Sequence, residues 1–208
     1  MKTLITQSLL SSWLYTYNCM EGFEEEAEAD FLRTLRREPM EEPSEAIQNG
    51  IAFENGVYAL VSNPKDITVY PAWRQASERI ANIIRGGQIQ VKVQRDIEVD
   101  GETYLLYGIL DALKAGIIYD VKFSNNSFGK EAVNMAGKYL ESPQHPSYLY
   151  CLPEAWKFIY LCSDGTDLYT EEYTRAKTPF IGDTIRNFRN EIRRRGLEEI
   201  YLEKWGSK

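Results

Sequence analysis

The sequence is poor in the residues that make disulfides and hold soft metals. Its 208 residues include three cysteines, Cys19, Cys151 and Cys162, at irregular spacing, and one histidine, His145. No Cys-x-x-Cys pair occurs, which argues against a disulfide framework and against a Cys/His zinc site. The cysteines are expected to be reduced. No stretch approaches the roughly 18 uninterrupted apolar residues of a membrane helix, so no membrane is expected as a partner. The opening "MKTLITQSLLSSWLYTY" has one lysine and a short apolar run broken by Ser, Thr and Gln, with no small-residue cleavage site after it. A secretory signal is therefore not read, and a cytoplasmic location is the expectation. Basic residues are outnumbered, 24 Lys and Arg against 31 Asp and Glu, for a net charge of −7. That balance counts against partners recognised through phosphate, but the acid is concentrated in "MEGFEEEAEADF" and "EPMEEPSE" while "RNFRNEIRRRG" is basic, and a local patch of either sign outweighs the total.

The composition is otherwise that of a globular chain, 43% hydrophobic and 26% charged, and its length suits one domain. Within that domain, 1–43 reads as an N-terminal helical part, 44–175 as a core and 176–208 as a C-terminal helix and tail. Helices are expected over 5–18 and 24–38, the second broken by Pro39 to Pro43. Ser44 can cap a helix over 45–62, and another runs over 72–85 to Gly86-Gly87. The period then changes from 3.6 to 2. "QIQVKVQRDIEV" alternates as a half-buried strand, Asp100-Gly101 is a hairpin turn, and "TYLLYGILDAL" returns as a more buried strand. Ala115-Gly116 turns the chain into a third strand, "IIYDVKFS". A helix over about 130–140, another from about 144, a strand pair around Asp164-Gly165 and a last helix over about 180–195 complete an α/β class with a central mixed sheet flanked by helices.

The stretch "GILDALKAGIIYDVKFS" puts charge inside an apolar sheet. With Ala115-Gly116 as a two-residue turn, Asp111 stands opposite Asp120, their Cβ atoms about 5 Å apart, and Lys122, two residues on, shares the face of Asp120. Two carboxylates against one ammonium leave an excess of negative charge that burial makes costly. A divalent cation such as Mg²⁺ or Mn²⁺ would remove it, since carboxylate oxygens and substrate phosphate oxygens suit hard cations. The chemistry implied is phosphodiester hydrolysis, with a lysine to orient the nucleophile or offset developing charge. A solvated edge carrying an ordinary Asp–Lys ion pair would need no metal. On the helix over 45–62, the residues Ile47, Ile51, Glu54, Tyr58 and Val61 form a stripe expected to face the sheet, which would bring Glu54 to the same pocket, with Gly50 leaving room for a close approach.

In order along the chain, Gly50-x-x-x-Glu54, Asp111, Asp120-Val121-Lys122 and Gln144-x-x-x-Tyr148 resemble the motifs of the PD-(D/E)xK nuclease superfamily, in its RecB-like and phage lambda-exonuclease-like branch. The resemblance covers about residues 45–150. It implies a restriction-endonuclease-like core and Mg²⁺-dependent (or Mn²⁺-dependent) cleavage of DNA. By position, Asp111, Asp120, Glu54 and the Val121 backbone carbonyl would bind metal, Lys122 would be catalytic, and Gln144 and Tyr148 would position DNA or the lysine. The resemblance makes an exonuclease acting on linear DNA beside a single-strand annealing protein, as a homo-oligomer, the leading reading; a restriction or repair endonuclease and a non-catalytic DNA-binding relative are the alternatives. Leu110 replaces the proline that names the family, Glu54 stands where many RecB-like members have His, and Pro146 falls inside the Gln144–Tyr148 element. Three scattered cysteines cannot hold the iron–sulfur cluster of some relatives. Lys130 and Lys138 are candidate phosphate contacts. His145 reads as a surface residue, "YLYCLPEAWKFIY" as core, and Arg189, Arg193, Arg194 and Arg195 as a solvated helix face.

Overall fold

A computed structural model describes residues 2–40, 42–66, 68–125 and 137–206. The chain runs β1 (Thr3–Thr6), α1 (Gln7–Asn18), α2 (Glu24–Leu35), α3 (Glu45–Ser62), a 3₁₀ turn (Pro71–Trp73), α4 (Arg74–Ile84), β2 (Gln88–Val99), β3 (Glu102–Lys114), β4 (Ile117–Phe123), α5 (Gln144–Cys151), β5 (Lys157–Ser163), β6 (Leu168–Thr174), α6 (Ile181–Arg194) and α7 (Glu198–Trp205). Most expected elements are present. The Ser44 hydroxyl accepts the Ile47 N–H at the start of α3. Asp100-Gly101 and Ala115-Gly116 turn with positive φ at both residues of each pair, the backbone of the tight hairpin turns whose twist matches the flanking strands. Two elements were not expected. Residues 3–6 form a strand that takes the first two residues of the expected helix over 5–18, and α7 follows α6 within the expected C-terminal tail. The expected helix over 130–140 falls largely outside the described residues, and 137–140 are turn.

The sheet is mixed. β2–β3, β3–β4 and β5–β6 are antiparallel, and β1–β3 and β4–β5 are parallel. β2 takes one edge of β3 along its length, while the other edge is divided. β1 pairs with Tyr104–Tyr107 and β4 with Ala112–Lys114. Residues 108–111 thus sit in the fork between β1 and β4.

Each face carries a helical layer, as an amphipathic sheet requires. β5 shows the alternation plainly. Phe158, Tyr160 and Cys162 pack with α1, α2, α5, α6 and α7, whereas Ile159 and Leu161 pack with α3 and α4. The reading of α3 needs correction by one position. Its buried residues are Phe53, Val57 and Leu60, and Ile47 and Ile51 are exposed, so Glu54 and Tyr58 lie on the flank of the apolar stripe. Among the described residues, apart from its own helix, no atom comes within 4 Å of a Cβ built on Gly50, so none of them makes the close approach expected there.

Candidate active site

Asp120 is the most buried member of the predicted set, 1% exposed, in the middle of β4. Its neighbours Tyr119 and Val121 point into the α3/α4 layer, so Asp120 projects to the opposite face, toward α5. There its Oδ2 lies 2.7 Å from Lys122 Nζ, and its Oδ1 accepts a hydrogen bond from Gln144 Nε2. Burial by itself would lower the Lys122 ammonium, but Asp120, then Asp111 and Glu54, outweigh it and hold the group above its ordinary value. Lys122 is therefore a cation at neutral pH. About a third of its side chain, 35%, still meets solvent.

Asp111 sits where β3 loses both partners. The β2 ladder passes from Ile89↔Ala112 to Val91↔Leu110, stepping over Gln90 and Asp111, and the β4 ladder ends at Ala112↔Tyr119. In place of a further ladder bond, Asp111 Oδ2 accepts the Val121 backbone N–H at 2.7 Å. Val121, expected to contribute its carbonyl, so far contributes its amide. Burial first, then the charges of Asp120 and Glu54, push the Asp111 carboxyl up to about 8, against the opposing pull of Lys122 and of the Val121 N–H. Burial disfavours the charged form, and two neighbouring carboxylates add to that when too little positive charge lies between them.

Glu54 belongs to the site through its field, which acts on both Asp111 and Lys122. Its contacts lie elsewhere. Tyr58, one turn on along α3, donates its hydroxyl to Glu54 Oε1 at 2.5 Å, and Gln90 Nε2 donates to the Tyr58 hydroxyl at 2.8 Å and reaches Glu54 Oε1 at 3.5 Å. Burial, then Asp111 and Glu54, raise the Tyr58 phenol far above its usual value, so it stays protonated as a donor. Tyr58 was legible at four residues from Glu54; Gln90 was not singled out, and nothing in "QIQVKVQ" marks it.

Pro146 is accommodated within α5. The helix begins at Gln144, so the proline falls in the first turn, where its missing N–H costs nothing. Gln144 is buried and bonded to Asp120. Tyr148, one turn further, fits into the fork of the sheet: a Cβ on Gly108 would lie 2.2 Å from its ring. Gly108 is thus required for Tyr148 to reach the sheet.

Two further expectations, for His145 and Arg189, are corrected. His145 is fully buried, its ring stacked on Tyr173 with centroids 3.9 Å apart and Nδ1 3.3 Å from the Tyr160 hydroxyl; α5 packs against β5, so the residue after Gln144 turns inward. Arg189 is 4% exposed, not solvated, pairing with Glu198 at 2.6 Å and donating to the Tyr104 hydroxyl at 3.1 Å. Arg193, Arg194 and Arg195 also have carboxylate partners, Glu102 and Glu198, Glu191, and Glu28. Lys138 is exposed on the 137–140 turn; Lys130 lies outside the described residues. Cys151 and Cys162 are buried free thiols, Cys19 is a partly exposed one, and the Tyr148 to Tyr160 aromatics are largely core. Among the described residues no helix is long and apolar enough to cross a membrane.

Among the described residues, the groups bonded to Asp111, Asp120 and Glu54 are amides, a phenol and an ammonium. Among the described residues no three acidic, His or Cys side chains close into a ready-made cage. A hard cation that binds through one or two carboxylates and keeps its waters does not require one, and the excess negative charge around Asp111 suits it.

No protein-family model and no curated relative matches the chain. Among solved structures, it is similar to SSO0001 at a TM-score of 0.52 and 16% identity, covering 92% of this chain and 76% of that one. Two structures of the alkaline exonuclease LHK-Exo from Laribacter hongkongensis, one in complex with dAMP, align at TM-scores of 0.48 and 0.46 with 11% and 10% identity, each over 95% of this chain and 94% of that one. At such identities the likeness is one of fold. The chain shares its fold with SSO0001, and within that fold Asp111, Asp120, Lys122 and Gln144 are gathered at one place.

Proposed function

We propose that this protein is a divalent-metal-dependent deoxyribonuclease, acting as an exonuclease on linear DNA. The observation that carries the reading is Asp120, buried yet joined to both Lys122 and Gln144 and set beside an Asp111 that has no ion-pair partner among the described residues. As structure alone this cluster is unfavourable; as a catalytic site its charge excess has a use.

Asp111 and Asp120 would hold Mg²⁺ or Mn²⁺, with Glu54 and the Val121 carbonyl as further ligands. The ion, when bound, would lower the pKa of a coordinated water and neutralise charge on the scissile phosphate. The chain's own residues do the rest. Lys122, held charged by Asp120, offers N–H donors to the attacking water or to a non-bridging phosphate oxygen, where negative charge grows as the water oxygen bonds to phosphorus. The phosphorus–oxygen bond to the departing sugar breaks, and that oxygen takes up a proton. Gln144 keeps the Asp120 carboxylate from rotating away, and Tyr148 braces α5 against the sheet. Lys138 and Lys130 are proposed to contact phosphates beyond the reacting one. A ring-shaped or other homo-oligomer and a single-strand annealing partner belong to the same reading.

The test is incubation of linear duplex with the full chain in Mg²⁺, Mn²⁺ or EDTA, beside Asp120→Asn and Lys122→Ala. Metal-dependent release of nucleotides from ends is expected, with closed circular DNA spared and both variants reduced at least about 100-fold. Cutting of closed circles would make the enzyme an endonuclease; binding of DNA with no cleavage under any metal would remove the enzymatic reading.

A further inference from the structure

Gln90 adopts a backbone conformation that its place in a strand does not call for. Among the described residues four besides glycine have positive φ. Asp100 and Ala115 make hairpin turns and Arg37 follows the end of α2. Gln90, at φ 54°, lies inside β2. Residues with a Cβ pay for the left-handed region and persist there only when their surroundings demand it.

The surroundings change at this residue. Two residues apart on a regular strand share a face, yet Ile89 packs with the α3/α4 layer and Val91 with the opposite one; across the ladder Ala112 and Leu110 part in the same way. The hairpin rolls over at the Gln90–Asp111 position, which the ladder skips. The roll carries the Gln90 amide to the Tyr58 hydroxyl at 2.8 Å and toward Glu54 Oε1 at 3.5 Å, while Tyr58 itself donates to that same oxygen at 2.5 Å. Two donors on two different elements thus converge on one oxygen of the acid.

We infer that Gln90 is a positioning residue for this site: its left-handed backbone delivers an amide that, with Tyr58, fixes the Glu54 carboxylate by Oε1 and leaves Oε2 to face a divalent cation held by Asp111 and Asp120. The inference rests on the nuclease reading and names the residue that sets the third carboxylate. Amides and hydroxyls that orient a metal-binding carboxylate act through the ligand, and their loss weakens metal affinity or turnover by about 10-fold or more.

Glycine separates backbone from side chain, because it keeps the positive φ without strain while removing the amide. The experiment compares wild type, Gln90→Gly, Tyr58→Phe and the double variant by calorimetric Mn²⁺ binding, by cleavage of linear duplex at saturating Mn²⁺, and by melting in EDTA. Gln90→Gly is expected to melt no lower than wild type in EDTA, yet to bind Mn²⁺ several-fold more weakly and cleave about 10-fold more slowly. Tyr58→Phe should move binding and cleavage in the same direction, and the double variant should be little worse than either alone, since both act on one oxygen. Wild-type Mn²⁺ affinity and cleavage in Gln90→Gly, or a lowered melting temperature that accounts for any loss, would overturn the inference while leaving the nuclease reading standing. A wild-type protein that neither binds Mn²⁺ nor cleaves would overturn both.

Discussion

Val121 donates its backbone N–H to Asp111 Oδ2 at 2.7 Å, just beyond the point where the β3–β4 ladder ends at Ala112↔Tyr119. The bond replaces main-chain pairing with a main-chain-to-side-chain contact, so the strands separate without leaving that N–H unpaired. The separation gives Asp111 a fixed direction toward Asp120 and leaves the fork in which Tyr148 seats against Gly108. A gap in the sheet is the physical basis of the site.

Removing charge at Asp111 should stabilise the metal-free protein. Its carboxyl is pushed up to about 8, mainly by burial and then by Asp120 and Glu54. An acid raised in the folded state binds a proton that the unfolded chain has released, so stability falls as pH rises from the ordinary aspartate range toward 8. Asparagine can still accept the Val121 N–H. In EDTA at pH 8, Asp111→Asn is expected to melt above wild type, and the gap should shrink below pH 5. A lower melting temperature at pH 8 would mean that Asp111 is held as one half of a structural ion pair with Lys122.

His145 should make the fold sensitive to acid. Burial lowers its pKa from 6.5 to about 4, so between these values the unfolded chain takes up a proton that the folded one refuses. The contribution is full above about pH 6.5 and is lost as pH falls toward 4, at up to about 1.4 kcal/mol per pH unit. Urea unfolding at steps from pH 7 to 4 should show wild type losing stability faster than His145→Asn. Parallel curves would place the imidazole in contact with water.

Gly108→Ala should disturb the site from a distance. The new methyl would lie 2.2 Å from the Tyr148 ring, which must shift and take α5 and Gln144 with it. A loss of about 1–3 kcal/mol in stability is expected from the overpacking, with cleavage reduced further than unfolding explains. Adding Tyr148→Leu should restore part of the stability but not the activity. Wild-type cleavage by Gly108→Ala would show that Tyr148 and Gln144 position nothing.

Arg189 separates architecture from DNA contact. It is buried against Glu198, the Tyr104 hydroxyl and the Tyr201 ring. Arg189→Ala should destabilise on the order of 2–4 kcal/mol, by losing a charge-assisted contact and leaving buried partners unsatisfied. At a temperature where the variant remains folded, the salt dependence of DNA binding should match wild type, because no phosphate contact is removed. A shallower salt slope would return Arg189 to the phosphate-binding candidates.

The local features were readable because their causes are local. Ser44 caps α3, "QIQVKVQRDIEV" alternates with period 2, and Asp100-Gly101 and Ala115-Gly116 can adopt the positive φ their turns need. The Ala115-Gly116 turn in turn dictates the register that brings the chain of Asp111 past that of Asp120. β1 escaped notice because four residues carry little periodicity and its partner, β3, lies about a hundred positions away in sequence. The buried face of α3 differs from its apolar pattern by one position, since Ile47 and Ile51 are apolar yet exposed.

The sequence by itself determined which residues carry charge into the apolar strands, the order of most helices and strands but not β1 or α7, and the spacing that puts Asp120 and Lys122 on one face, all consequences of periodicity and turn chemistry. Only the tertiary structure decided how those groups meet. The seating of His145 and Arg189 inside the molecule, the bond from Gln144 to Asp120 and the roll of the hairpin at Gln90 depend on contacts between segments far apart in the chain. Such contacts follow from how two faces of a sheet are covered, and a one-residue change in a helix's buried stripe or a single left-handed residue in a strand redirects them without leaving a mark in the local pattern.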